Sequence, residues 1–275
     1  MKKSFRLENI LNDYSPINKS DKMLDGDMVI DNSMITIMYQ LFEEKNINSQ
    51  SGLDELKISL DSPSRMSKLF KLIPQKILKR FFLDFFGIGI TMDSGPEFEK
   101  IKRESDKVLS GIANPLEYLN KLADFVMNYT LDYSDILNYV GYVTPLNKIL
   151  KDKKADCLIN SIIGYKLTAL YRNDVNIGIA FGFYSDGSAS ERSGSLNLDP
   201  FFRLPLSETA DAWLEAEING HKYIIDPRFK SSAITADPVY PKEFRRLGNL
   251  LILRENKYEG VKSLRTGTAV KPIYS

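Results

Sequence analysis

The alternation of polar and apolar positions divides the chain into regions of different character. Residues 1–60 are polar and rich in Asn, Asp and Ser, and only Met34–Glu44 has the pattern of a short helix. Residues 64–92, SRMSKLFKLIPQKILKRFFLDFFGIGITM, mix lysines and Arg80 with Leu, Ile and five phenylalanines. Pro74 lacks a backbone N–H and divides this stretch into two expected helical pieces. Lys and Arg stems can cover apolar surface, so the preferred reading is a helical pair packed on the main domain. The competing reading is a basic amphipathic patch on a membrane surface. Residues 93–113 are charged and link this region to the core of the chain.

From Asn114 onward the signals sharpen. Asn114 suits an N-cap, Pro115 the first helical position and Glu117 the capping-box acid. Leu116, Leu119, Ala123 and Val126 keep one face apolar, and the helix should end near Tyr129. A second helix is expected through ILNYVGY (136–142), with Pro145 stopping or restarting the chain. Asp156 then caps a helix that opens with Cys157. Leu158, Ile159, Ile162, Ile163, Leu167 and Leu170 make its broad apolar face. Cys157, Ser161, Gly164 and Thr168 form a separate stripe of small residues that lets another element come close.

The next segments read as strands. VNIGIAFGFY (175–184) is β-branched and aromatic, with glycines where a neighbour approaches. After a Ser/Gly-rich loop (185–200), DAWLEAEINGHKYIIDPRF (211–229) alternates on both sides of Asn219-Gly220. A two-residue type I′ turn there pairs Ile218 with His221 and Trp213 with Asp226. Asp226, Ile224 and Lys222 then share a face with Trp213, Glu215 and Glu217, whereas His221 and Tyr223 lie on the face of Leu214 and Ile218. Leu250–Leu253 reads as one more strand. Helices succeeded by antiparallel strands define an α+β protein.

Composition narrows the class. The 275 residues are 43% hydrophobic and 27% charged, with net charge +1, as in an ordinary globular protein with no electrostatic footprint for nucleic acid. Two N-terminal lysines have no apolar run behind them, and no stretch approaches the ~20 apolar residues of a membrane span. A single cysteine excludes an intrachain disulfide framework and favours a reducing compartment, so a cytoplasmic protein is expected. One Cys and one His in the whole chain invite a nucleophile–base pair. A thiol at a helix N-terminus feels the positive end of the dipole, which favours thiolate; Asp156 beside it works the other way. The plainer reading of Cys157 is a small buried hydrophobe.

Residues 114–230 resemble the core of the transglutaminase-like superfamily, a branch of the papain-like cysteine enzymes. The matching segments are NYTLDY for the aromatic-rich helix end and ADC (155–157) for the Cys that opens a long helix. Gly182-Phe183 matches the strand ending in Gly-Tyr. DAWLE (211–215) matches His-Ala-Trp-x-Glu in part, and Asp226-Pro227 matches the Asp-Pro after a hairpin. The resemblance implies Cys157 as nucleophile, Asp226 as orienting acid, and Trp213 as a substrate contact. It places Asp211 where the family has its catalytic histidine. That departure removes the base, because an ordinary aspartate is too weak at neutral pH to take a thiol proton. His221 does not substitute. Five strand residues put it roughly 16 Å from Asp226, and it points to the opposite face. Asp211 lies diagonally beside Asp226, where two carboxylates share a proton, hold a cation, or are simply solvated or capping.

Three readings result. One is a transglutaminase-like fold with a degenerate triad, serving as a binding or scaffolding module for a peptide or protein ligand. Another is an active amide hydrolase or acyltransferase using Cys157. The last is a peripheral membrane protein acting through 64–92. The expected organisation is a mostly helical extension (1–110), the core (111–235), and a C-terminal strand and tail packed on the core (236–275). No cofactor and no metal is implied.

Overall fold

The computed structural model describes residues 15–17, 23–33, 87–129, 132–133, 139, 141–184, 209–226, 232–237 and 239–254. The expected helix at 34–44 and most of the helical pair at 64–92 lie outside them. In chain order the elements are β1 (Ser15–Pro16), β2 (Met28–Asp31), β3 (Ile88–Thr91), α1 (Pro96–Leu109), α2 (Pro115–Asn128), β4 (Asp132–Tyr133), β5 (Val143–Pro145), α3 (Leu146–Lys151), β6 (Lys154–Ala155), α4 (Cys157–Tyr171), β7 (Asn176–Tyr184), β8 (Thr209–Ile218), β9 (His221–Ile225), β10 (Ile234–Thr235), β11 (Phe244–Asn249) and β12 (Leu251–Leu253). The protein is α+β.

One sheet has the order β1-β12-β2-β3-β5, and a second the order β10-β9-β8-β7-β11. The second is antiparallel throughout; in the first only β3 and β5 run parallel. The two sheets meet at Leu250, between β11 and β12. Its N–H donates to Ile179 O of the second sheet at 3.1 Å, and its carbonyl accepts from Ile17 N, beside β1, at 2.8 Å.

The helices begin where their caps dictate. Asn114 Oδ1 accepts from Leu116 N at 2.9 Å and Glu117 N at 3.1 Å. Asp156 Oδ1 accepts from Ile159 N at 3.0 Å. Helix α2 buries Tyr118, Leu119, Leu122, Ala123 and Val126. Leu116, in the first turn of α2, is 38% exposed, and Leu170, in the last turn of α4, is 50% exposed. The body of α4 is buried on nearly every side, even at Ser161, Lys166 and Thr168, which makes it the central helix. Its contacts are with α1 and α2 on one side and with β7 and β8 on the other. Lys166 stays paired though buried: its ammonium sits 4.8 Å from the Phe98 ring centre and 3.3 Å from Asp25 Oδ1.

One local expectation fails. Residues 88–91, read as helical, form β3 between β2 and β5. Ile88, Ile90 and Thr91 are β-branched, and Gly89 pairs closely with both neighbours, so the tail of 64–92 prefers extended backbone. Of the segment 136–142, expected as a helix, residues 136–138 and 140 lie outside the described residues. Gly141 turns the chain at φ 79°, and Gly89 N then bonds Tyr142 O at 3.0 Å, leading into β5. Among the described residues no helix is long and apolar enough to cross a membrane.

Candidate functional site

The hairpin forms with the expected register. Asn219 and Gly220 take φ 52° and 82°, the left-handed values of a type I′ turn, and Ile218 faces His221. The pairing runs to Leu214 opposite Ile225, so Asp226 comes level with Trp213. Alternation gives the sheet two faces. Leu214, Ala216, Ile218 and Ile225 belong to the main core, while Trp213 and Ile224 join Ala180, Tyr184, Ala236 and Phe244 in a second cluster. Asp211 and Asp226 have the parity of Trp213 and Ile224 and are buried, at 4% and 0% exposure. His221 stands at the turn with its side chain 68% exposed, its Nδ1 3.7 Å from Asp237 Oδ2. The histidine and the two aspartates thus occupy opposite ends of the hairpin.

Helix α4 reaches the sheet through its stripe of small residues. Ser161 Oγ donates to Ala212 O at 3.1 Å. A Cβ on Gly164 would stand 2.7 Å from Leu214 Cδ1. Ser161 to Gly164 on the helix therefore tracks Ala212 to Leu214 on β8, and the two elements run in the same sense. Cys157, four residues before Ser161, lies about 6 Å further toward the helix start. At about 3.3 Å per strand residue, that is level with the residues just before Ala212. The Cys157 turn and Asp211 come to the same end of β8. Strand β9 has stopped there, and Asp226 comes directly after it. Beside this end, β4 pairs in parallel with β6, Asp132 with Lys154 and Tyr133 with Ala155. Asp132 and Tyr133 are thereby held against the strand that leads into the Cys157 helix. Cys157 itself is buried, at 7% exposure.

A network on the Trp213 face escaped the sequence reading. Trp213 Nε1 donates to the Tyr240 hydroxyl at 2.6 Å, which donates to Glu215 Oε1 at 2.6 Å. Arg246 grips the same carboxylate, Nε to Oε1 at 2.7 Å and Nη2 to Oε2 at 3.1 Å, and also donates to Asn249. Burial, with the charge and hydrogen bond of Glu215, pushes the Tyr240 hydroxyl well above its ordinary range. Burial works against the Arg246 guanidinium as its largest influence, yet its bonds and attraction to Glu215 raise it overall. Tyr240 therefore stays a neutral donor toward Glu215. Period-two alternation correctly puts Glu215 on the Trp213 face. Nothing in the local pattern points to Tyr240, which lies in a connecting segment, as its partner.

Among the described residues no group of three or more His, Cys, Asp or Glu side chains could hold a metal ion. No protein-family model, curated protein or solved structure matches this chain.

Proposed function

We propose that the chain is a transglutaminase-like cytoplasmic protein with a degenerate triad. It would serve as a binding or scaffolding module for a peptide or protein ligand; Trp213, expected as a substrate contact, is fully buried at 0% exposure and does not meet a ligand at the surface. Cys157 keeps the nucleophile position, Asp226 the orienting acid, and Asp211 replaces the base. The observation that supports the reading is the shared sense of α4 and β8, anchored by the Ser161–Ala212 bond, which brings the Cys157 turn to the end of β8 where Asp211 stands, with Asp211 and Asp226 both buried. The sole histidine is at the far end of the hairpin and solvent-facing. Removal of the base from a Cys–His pair costs orders of magnitude in rate. The second reading, an active amide hydrolase or acyltransferase with Cys157 as nucleophile, draws on the retained thiol at the first position of a capped helix.

Asp211→His tests the proposal. An imidazole between Cys157 and Asp226 would donate one N–H to the carboxylate, be oriented by it, and favour the thiolate. Each unit by which a thiol pKa falls raises its thiolate fraction about tenfold, so alkylation of Cys157 by iodoacetamide at pH 7 should rise by about that factor. His221→Ala should leave the rate unchanged. Fast alkylation of the native protein that His221→Ala abolishes would replace the scaffold reading with the enzyme one. An Asp211→His variant that folds and reacts at the native rate would remove Asp211 from the site.

A further inference from the structure

The two aspartates and Trp213 share a face, and the position of the indole ring on that face is set by an unusually close approach. A Cβ on Gly182 would stand 2.8 Å from Trp213 Cη2, so the far edge of the ring lies over Gly182. Gly182 is the β7 partner of Asp211. Paired residues project their side chains on the same face about 5 Å apart, so the ring edge borders the space into which Asp211 projects. The opposite end of the indole is tethered: Nε1 reaches the Tyr240 hydroxyl, which the Glu215–Arg246 pair holds in turn. Phe244 meets the Trp213 ring edge-on, with centroids 5.2 Å apart. The ring is thus seated by packing, while its hydrogen bond fixes how it lies in that seat.

We propose that Tyr240 is a positioning residue for the Asp211 end of the sheet: its hydroxyl holds the Trp213 indole over Gly182 as the wall of the space that Asp211 occupies. This deepens the proposed reading and rests on it only in taking Asp211 as part of the site. The tether acts from outside the 211–226 hairpin, through Tyr240 in the segment between β10 and β11. A change in that segment therefore reaches the site without touching Cys157.

The test uses a background carrying Cys157→Ser and Asp211→Cys, in which the only thiol is at position 211. Adding Tyr240→Phe keeps the aromatic ring and deletes the hydroxyl. Alkylation by iodoacetamide should then quicken about fivefold, the equilibrium equivalent of one net hydrogen bond, and acrylamide should quench the single tryptophan more strongly. Glu215→Gln keeps a carbonyl acceptor for the Tyr240 hydroxyl and should stay within about twofold of the background on both readings. Equal alkylation with and without the Tyr240 hydroxyl overturns the proposal. Stronger quenching with unchanged alkylation overturns it as well, since the ring then moves without guarding position 211. Should the background fail to fold, Tyr240→Phe in the native chain tests the tether through Trp213 quenching, and an unaltered quenching constant refutes it. Each of these failures leaves the role of Asp211 to the Asp211→His experiment.

Discussion

Gly182 and Gly164 set up a matched pair of substitutions, one methyl group each, with opposite expected outcomes. Both are buried against β8, but their neighbours differ in kind. A Cβ at Gly182 would stand 2.1 Å from the Arg245 carbonyl oxygen and 2.9 Å from its carbon, which are backbone atoms of β11. Relief to an ordinary contact near 3.5 Å needs β11 to withdraw by more than about 1 Å. That strains the ladder in which Arg246 faces Gly182 and Arg245 faces Phe183. Overpacking of this kind costs about 1–3 kcal/mol, and weakened ladder bonds add about 1 kcal/mol, so Gly182→Ala should lose roughly 2–4 kcal/mol. At Gly164 the conflict is with Leu214 Cδ1 at 2.7 Å, and the next atoms stand at 3.8 and 3.9 Å. A leucine tip can rotate for about 0.5–1.5 kcal/mol, while alanine gains about 1 kcal/mol over glycine inside a helix. Gly164→Ala should therefore fall within about 1 kcal/mol of the native protein. Urea unfolding monitored by far-ultraviolet circular dichroism measures both, with the slope held constant between variants. A Gly182→Ala protein as stable as the native one, or a Gly164→Ala protein as damaged as Gly182→Ala, would refute the close approach of β11 to β7 and the packing of α4 on β8.

Ser161→Ala removes the donor to Ala212 O and leaves that carbonyl without its side-chain partner; a loss of about 1–2 kcal/mol is expected in the same urea assay, and a neutral result would mean that the bond does not hold α4 to β8. Alkaline pH offers an independent check. Burial, reinforced by the hydrogen bond to Asp106, pushes the Tyr171 hydroxyl up to about 12, and burial with Asp152 does the same for Tyr139, also to about 12. Unfolded tyrosines ionise near pH 10, so their stabilising contribution is intact below about pH 10 and is lost as pH climbs toward 12. Urea midpoints should fall across that window, and Tyr171→Phe should flatten the decline; an identical decline in the variant would remove Tyr171 as a cause.

What could be read from the sequence was what neighbours along the chain decide. Asn114-Pro115 and Asp156 fix where α2 and α4 begin through bonds to residues two or three positions on. Asn219-Gly220 fixes the hairpin, because a type I′ turn demands left-handed backbone at both positions and so sets every pair from Ile218–His221 onward. The exposure of His221 and the common face of Trp213 and Asp226 are consequences of that register. The first sheet was largely illegible. Its strands are two to four residues long and pair segments from opposite ends of the chain, as in Leu253 with Met28. Runs that short carry no usable periodicity, and the apolar tail of 64–92 mimicked a helix until β2 and β5 supplied its partners. The α4–β8 approach was half legible: the stripe of Ser161 and Gly164 announced a close neighbour without saying which. The Tyr240 tether was not legible, since a connecting segment has no period to read.

The position of β12 governs the order in which the first sheet can be assembled. It lies between β1 and β2, and among the described residues β1 bonds to no other strand of that sheet. A ribosome releases β1, β2 and β3 long before residues 251–253, so during synthesis β1 waits without a mate while the second sheet gathers nearly all its strands. Only β11 and β12, emerging back to back around Leu250, complete both sheets. The late arrival of one short strand makes closure of this fold a single event that waits for residues 244–253, and it leaves the strand edge of β2 open to other chains until then.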